Sequence, residues 1–376
     1  MREAAATACA KVKLNSVKST NLPADRAGND LQPLLSNDVR FSMRFRWKSL
    51  RHQLEWLGLR LLAFTVPQLP RPLVVQLGKI AGAITAHLDG AGRRVALSNL
   101  EAAFGDRFSA AERARIARES YQQFASTMLD LFWSPRLTAN NFRKLIDVDG
   151  WDEFARTVGP TGPCIIAACH YGNFEWFSLA GGYIGIPATI ISQEFKNPCL
   201  DPIFNRLRQQ SGHQMVPREG AIVRLYKTLR RGGTVAILVD LALHPRQPTV
   251  AIDCFGMKMP VTFAHAWLHR RTGLPIVPIH QEPLPGGRCR IVIHPKLEIP
   301  PGATDQEIVQ LCWNQFEPVV RQNPSPWLWM YKCWRFRPTD AKRPYPFYAH
   351  TAPRFDQLVA EGGAASPWKK DSNNVR

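Results

Sequence analysis

From residue 163 onward the chain alternates short runs of β-branched and aliphatic residues with helical stretches. The apolar runs cover 163–169, 188–192, 234–239, 275–280 and 288–294. Apolar spacing and capping residues predict helices over 173–182, 202–211, 221–231, 262–272 and 304–322. Strands that are apolar along their whole length have both faces covered, and helices between them supply the cover. The pattern therefore predicts an α/β fold with a mostly parallel central sheet flanked by helices.

Upstream, Ser109 followed three residues later by Glu112 reads as a capping box, which opens a helix over 108–134. Before it, residues 41–51 interleave Phe41, Phe45 and Trp47 with Arg44, Arg46, Lys48 and Arg51. Two apolar stretches follow, 54–66 and 73–86, each carrying an internal charge and separated by Pro67, Pro70 and Pro72. A membrane-spanning helix needs ~20 apolar residues, so neither stretch crosses a bilayer cleanly. They are read as amphipathic helices, packed on the protein's own core or lying in a membrane interface; the basic and aromatic lead-in favours the interface.

Residues 1–40 and the proline-rich stretch 341–376 lack a sustained period and are expected to be disordered. The expected organisation is a basic tail over 1–40, membrane-associating helices over 41–90, a catalytic domain over 91–340 and a tail over 341–376.

The formal charge of +18 demands a negatively charged partner, which charge alone does not identify. No zinc finger, helix-turn-helix or RNA-binding aromatic motif accompanies it, so nucleic acid is set aside in favour of an anionic membrane surface. The eight cysteines form no C-x-x-C pair and sit largely in apolar runs, which suits a reducing compartment. The first residues hold no apolar run long enough for a secretory signal, so the bulk of the chain is expected to stay in the cytoplasm. Nucleotide-binding glycine patterns and the G-x-S-x-G elbow of serine hydrolases are absent. His265 and His269 have the spacing of a helical metal pair but lack a third ligand, so no metal is expected.

The chemistry points to the segment Cys164-Ile-Ile-Ala-Ala-Cys-His170-Tyr-Gly-Asn-Phe-Glu175. Here an apolar strand ends at a histidine and turns through Gly172 into a helix, at the edge of the sheet where open α/β folds bind ligands. A helix starting near Asn173 puts Glu175 in its first turn, within reach of the imidazole. A carboxylate there fixes the tautomer and stabilises the protonated ring, making His170 a better base. Gly172 leaves room for substrate, and the N–H groups at the helix start near Asn173 can hold an anion. A structural histidine satisfied by a neighbouring glutamate fits the same residues.

The block His170-Tyr-Gly-Asn-Phe-Glu175 resembles the H-x4-[D/E] signature of glycerolipid acyltransferases, and its surroundings resemble the late lipid A acyltransferases. The likeness extends to Asn99-Leu100 with Phe104, to Arg218 and Asp240, to Phe255-Gly256 with Thr262, and to Pro326-Trp-Leu-Trp329 with Trp334. The chain departs from that pattern at Leu241, at Cys254 and between Trp329 and Trp334, away from the histidine and glutamate.

The resemblance implies an α/β sandwich of the glycerol-phosphate acyltransferase type. It implies direct transfer of a fatty acyl group from an acyl carrier protein or coenzyme A thioester to a lipid hydroxyl, with no cofactor or metal. His170 is then the general base and Glu175 its partner, while Arg218, Asp240, Asn173 and Gly172 are the candidate substrate-binding residues. The expected place is the cytoplasmic face of the bacterial inner membrane, held peripherally or monotopically. Other acceptors (a lysophospholipid, an aminolipid, a phosphatidylinositol mannoside) and a non-catalytic membrane-bound scaffold remain open as alternatives.

Overall fold

A computed structural model describes residues 34–362, with side chains from Trp47 onward. The tails expected over 1–33 and 363–376 lie outside the described residues, as do the Phe41, Arg44, Phe45 and Arg46 side chains. Among the described residues, those up to Ala63 with Phe195–Phe204 form one compact unit, and Phe64–Glu194 with 205–362 form another.

In the first unit, helix α1 (Leu34–Thr65) begins inside the stretch expected to be disordered. Asn197 ties the 195–204 segment to this helix, its Nδ2 donating to the His52 carbonyl at 2.9 Å and to Glu55 Oε2 at 3.0 Å. Leu50, Leu54, Leu57 and Leu61 repeat at three- and four-residue intervals, and all are exposed.

The second unit opens with α2 (Arg71–Leu88), α3 (Gly90–Phe104) and α4 (Ala110–Trp133). Pro70 stands at the N-cap of α2 and Pro72 in its first turn, where a missing N–H breaks no helical bond. Val74, Gly78, Gly82 and Ala86 form the buried face of α2. A Cβ on Gly82 would stand 2.3 Å from the Gln122 Cα, so small residues at this spacing bring α2 and α4 into close contact. The opposite face carries Leu73, Leu77, Ile80, Ile84 and Leu88, all exposed. This helix is thus apolar on two sides and packed on one. The capping box at the start of α4 forms as expected, with Ser109 and Glu112 exchanging side-chain and backbone bonds.

The sheet comprises β1 (Ile146–Asp149), β2 (Ile165–Ala168), β3 (Ala188–Ser192), β4 (Gln214–Pro217), β5 (Thr234–Leu238), β8 (Ile276–Leu284) and β9 (Arg288–Ile293). Its order is β1-β9-β8-β2-β5-β3-β4, and every pairing is parallel except the β8–β9 hairpin. Helices α5 (Trp151–Thr157), α6 (Phe174–Tyr183), α7 (Asp201–Gln209), α8 (Ala221–Arg230) and α9 (Ala264–Thr272) lie in the connections, and α10 (Asp305–Gln322) follows the last strand. All four residues of β2 are buried, as an apolar strand between two parallel neighbours requires.

A separate hairpin joins β6 (Thr249–Cys254) to β7 (Met257–Thr262) through Phe255 and Gly256, at φ 54° and 73°. Two consecutive positive φ angles define the tight turn that matches strand twist, and a non-glycine residue there is strained. Burial holds Phe255 in place: it is 1% exposed and packs against Phe104, Trp313, Trp327, Trp329 and Trp334.

The expectation of disorder from 341 onward is corrected as far as Gly362. Tyr345 Oη accepts from Lys258 N at 2.7 Å, and Tyr348 Oη donates to Asn99 Oδ1 at 2.5 Å. Helix α11 (Pro353–Ala360) buries Phe355 and Leu358 against Phe336 and Ala251. Aromatic side chains hidden among prolines and charges supply the burial that average composition conceals. The described cysteines are free thiols, and all but Cys199 are buried.

Candidate active site

Strands β2 and β5 pair in parallel with Ala168 opposite Leu238. Two residues past that pair, the same register places position 170 beside position 240, at the carboxyl edge of the sheet. There His170 Nδ1 lies 2.7 Å from Asp240 Oδ1, and the His170 backbone N–H donates to Asp240 Oδ2 at 2.9 Å. The Trp327 indole N–H donates to the same Oδ2 at 2.8 Å.

Asp240 is 1% exposed. Burial pushes its carboxyl up, yet the adjoining His170 charge and the donors from His170 and Trp327 outweigh burial and hold it below the ordinary carboxylate range. An ionised carboxylate only accepts hydrogen bonds, so the proton between the two sits on Nδ1, and in the neutral ring the Nε2 lone pair is available. Nε2 has no hydrogen-bond partner among the described residues, and the His170 side chain is 12% exposed.

The expected pairing of His170 with Glu175 is therefore corrected: the carboxylate on the ring is that of Asp240. Glu175 does lie in the first turn of α6 and is buried, but Arg208 takes it, with Nε on Oε2 at 2.9 Å and Nη2 on Oε1 at 2.5 Å. A bidentate guanidinium satisfies a buried carboxylate more fully than one imidazole nitrogen can. Apolar runs that end in Cys169-His170 and Val239-Asp240 were the sequence signal for this contact.

Gly172, expected to leave room for substrate, is required by the turn itself. Its φ of +62° is a left-handed turn conformation, and a Cβ would collide with the Gln281 side chain and backbone carbonyl. Its small size accommodates Gln281. The turn is pinned from three sides: Thr127 Oγ1 donates to the Gly172 carbonyl at 3.1 Å, Gly172 N donates to the Pro326 carbonyl at 3.1 Å, and Asn173 N donates to Gln281 Oε1.

Asn173 caps α6, its Oδ1 accepting from Trp176 N at 3.0 Å, while its Nδ2 donates to Asp130 Oδ2 at 2.7 Å. The Asn173 and Trp176 N–H groups are thus engaged within the protein. Asp130 is in turn paired with Arg71, whose guanidinium covers the Trp176 ring at 4.6 Å and donates to the Gly287 carbonyl at 2.6 Å. This chain of bonds runs from the first residue of α2 to the start of α6; nothing in the local pattern of Arg71 or Asp130 announces it.

Arg218 is exposed in the turn between β4 and α8. Burial raises the Tyr331 hydroxyl above its ordinary value. Tyr331 donates to the Ala242 carbonyl at 2.7 Å, two residues past Asp240. Of the six expected residues, His170 and Asp240 are bonded to each other and Gly172 and Asn173 form the adjoining turn, whereas Glu175 belongs to a neighbouring ion pair. Arg218 is exposed and is not bonded to any of them.

His265 and His269 do not converge: His265 is sealed in the apolar core, and His269 Nδ1 bonds the Leu274 carbonyl at 2.8 Å.

Residues 40–336 match the model of a family described as bacterial lipid A biosynthesis acyltransferase. The chain is similar to the lipid A biosynthesis lauroyltransferase of Escherichia coli K12, 23% identical over 303 residues that cover 78% of this chain and 95% of the relative. It is 24% identical over 306 residues to the lipid A biosynthesis palmitoleoyltransferase of the same organism, with the same shares covered. A lipid A biosynthesis acyltransferase of Haemophilus influenzae is 24% identical over 316 residues, 81% of this chain and 95% of the relative.

Proposed function

The chain belongs to the bacterial lipid A biosynthesis acyltransferase family and is an acyltransferase, and on that premise we propose a specific reaction: transfer of a fatty acyl group from an acyl carrier protein or coenzyme A thioester to a hydroxyl of a lipid A precursor. The observation that carries this reading is the His170–Asp240 pair at the end of β2, with Nε2 unengaged and the ring partly exposed.

His170 Nε2 accepts the proton of the acceptor hydroxyl as its oxygen attacks the thioester carbonyl. Asp240 keeps the ring in the reactive tautomer and offsets the positive charge that forms on it. Collapse of the tetrahedral intermediate expels the thiolate, which takes the proton back from the imidazolium, so the pair is regenerated without an acyl-enzyme. A thioester is already activated and the alcohol is the poor partner, which is why a base with no covalent nucleophile suffices. Arg218 is assigned to an anionic group of the substrate, supported by its exposure and its lack of a carboxylate partner among the described residues. The Glu175–Arg208 pair is assigned to holding α6 against α7.

We assign the sheet to the glycerol-phosphate acyltransferase type of sandwich, supported by the mostly parallel strand order with the histidine beyond a central strand. We also place the protein peripherally on the cytoplasmic face of the inner membrane. No described helix is long and apolar enough to cross a bilayer. The stripe of Leu73, Leu77, Ile80, Ile84 and Leu88 suits a helix lying in the interface, and the surplus of basic residues suits anionic headgroups.

The test is transfer of acyl chains from carrier-protein and coenzyme A thioesters to a lipid A precursor by purified protein. The wild type is expected to acylate, and His170→Ala to be inactive while folded. Wild-type rates in that variant would sink the assignment. Mass spectrometry of lipids from cells lacking the protein identifies the acceptor.

A further inference from the structure

We propose that Trp327 is a positioning residue for acyl transfer, its indole N–H locking the Asp240 carboxylate so that only Oδ1 meets the His170 ring. The inference rests on the reading of His170 as the base. Asp240 Oδ2 receives two donors, the His170 backbone N–H at 2.9 Å and the Trp327 indole at 2.8 Å, and Oδ1 receives His170 Nδ1 at 2.7 Å. With Oδ2 engaged twice, the carboxylate has no freedom to swivel away from the imidazole.

Trp327 is itself immobilised. It is 1% exposed, its backbone bridges to Tyr171, its carbonyl accepts from Ser120 Oγ, and its ring meets Trp329 edge-on at 4.8 Å. The same segment holds the turn after His170, through the Pro326 carbonyl and Gly172 N–H at 3.1 Å. One strap thus places both the imidazole's turn and the imidazole's partner.

Removing the indole N–H leaves the carboxylate with one donor fewer. The proton affinity of the pair then rises, whether the proton is counted on the ring or on the carboxylate. The pair must shed that proton before it can act as base, so the acid limb of the kcat/KM profile moves to higher pH.

The experiment measures kcat/KM against pH with a fatty acyl thioester and lipid acceptor that the wild type turns over. It compares wild type, Trp327→Phe, an isosteric replacement of the Trp327 indole by benzothiophene, and Trp329→Phe. Trp329 is equally buried, but its N–H goes to the Pro324 carbonyl at 2.6 Å. Both position-327 variants should move the acid limb up by about one pH unit, and Trp329→Phe should leave it in place. An unmoved limb in a folded 327 variant overturns the inference, as does an equal shift in Trp329→Phe. If Trp327→Phe does not fold, the benzothiophene variant, which keeps the ring's shape, decides. His170→Ala is run in the same assay: if it retains activity the base assignment fails, whereas a dead His170→Ala with an unmoved 327 limb sinks this inference alone.

Discussion

His170 and Asp240 are seventy positions apart in the chain and 2.7 Å apart in space, each two residues past the carboxyl end of one of two adjacent parallel strands. Their contact is a consequence of register. Shifting β5 by one residue against β2 would turn Asp240 to the other face and leave the imidazole without a partner.

Asp240→Asn keeps the shape of that partner and removes its charge. An amide can donate to Nδ1 and so favour the tautomer whose proton blocks Nε2. The rate of acyl transfer should fall by ~10²–10⁴-fold with little change in the affinity for thioester. Steady-state kinetics check this; a loss under tenfold would argue against Asp240 as the partner.

Glu175→Gln makes the contrasting case. It strips the charge from one member of a pair whose side chains are 5% and 20% exposed, leaving Arg208 poorly satisfied. The midpoint of thermal unfolding should drop, for a cost of up to about 3 kcal/mol, while the acid limb of the pH–rate profile keeps its position. A shifted limb would restore Glu175 as a partner of the imidazole.

Gly172→Ala should lower stability and activity together. The left-handed φ alone costs about 1 kcal/mol for a residue with a Cβ, and the methyl group meets the Gln281 backbone carbonyl. Relief requires displacement of the turn that carries His170. Unchanged kcat in this variant would show that the turn tolerates the movement.

Burial pushes the His265 imidazole down from 6.5 to about 3. The folded state therefore keeps this ring neutral where the unfolded chain would protonate it. Its contribution is undiminished above pH 6.5 and is lost as pH falls towards 3, at about 1.4 kcal/mol per pH unit. His265→Met, which cannot titrate, should flatten the acid decline, so that the gap to wild type changes by about 2 kcal/mol between about pH 7.5 and about pH 5. Denaturant unfolding at the two pH values measures it; parallel curves would mean that His265 finds a partner or water when protonated.

Ile80→Glu with Ile84→Glu charges the outer face of α2 without touching the Val74, Gly78, Gly82 and Ala86 face that packs. Binding to anionic lipid vesicles should weaken at least about tenfold, since each buried aliphatic side chain is worth ~1.5–3 kcal/mol. Sedimentation with vesicles reads the loss. Undiminished binding would remove this face from the membrane contact.

Periodicity carried much of the architecture. The run at 188–192 is β3, the runs around 234 and 288 begin β5 and β9, and the helix over 221–231 is α8 to within one residue. Such elements are legible because apolar spacing, capping residues such as Ser109 and Thr304, and breakers such as Pro70 act within a few residues. The β6–β7 hairpin and the short β1 and β4 escaped notice, since four-residue strands and a Phe-Gly turn leave a faint local trace.

The residue that serves the imidazole was another matter. Proximity in sequence favoured Glu175, one turn along the helix, and both candidates are acidic residues near a strand end. The choice depends on which strands lie side by side, on their register, and on where Arg208 and Trp327 arrive from distant parts of the chain. Those are long-range contacts whose partners share no local pattern. A linear reading thus locates His170 and its strand, while the assignment of its carboxylate waits until the sheet has been assembled.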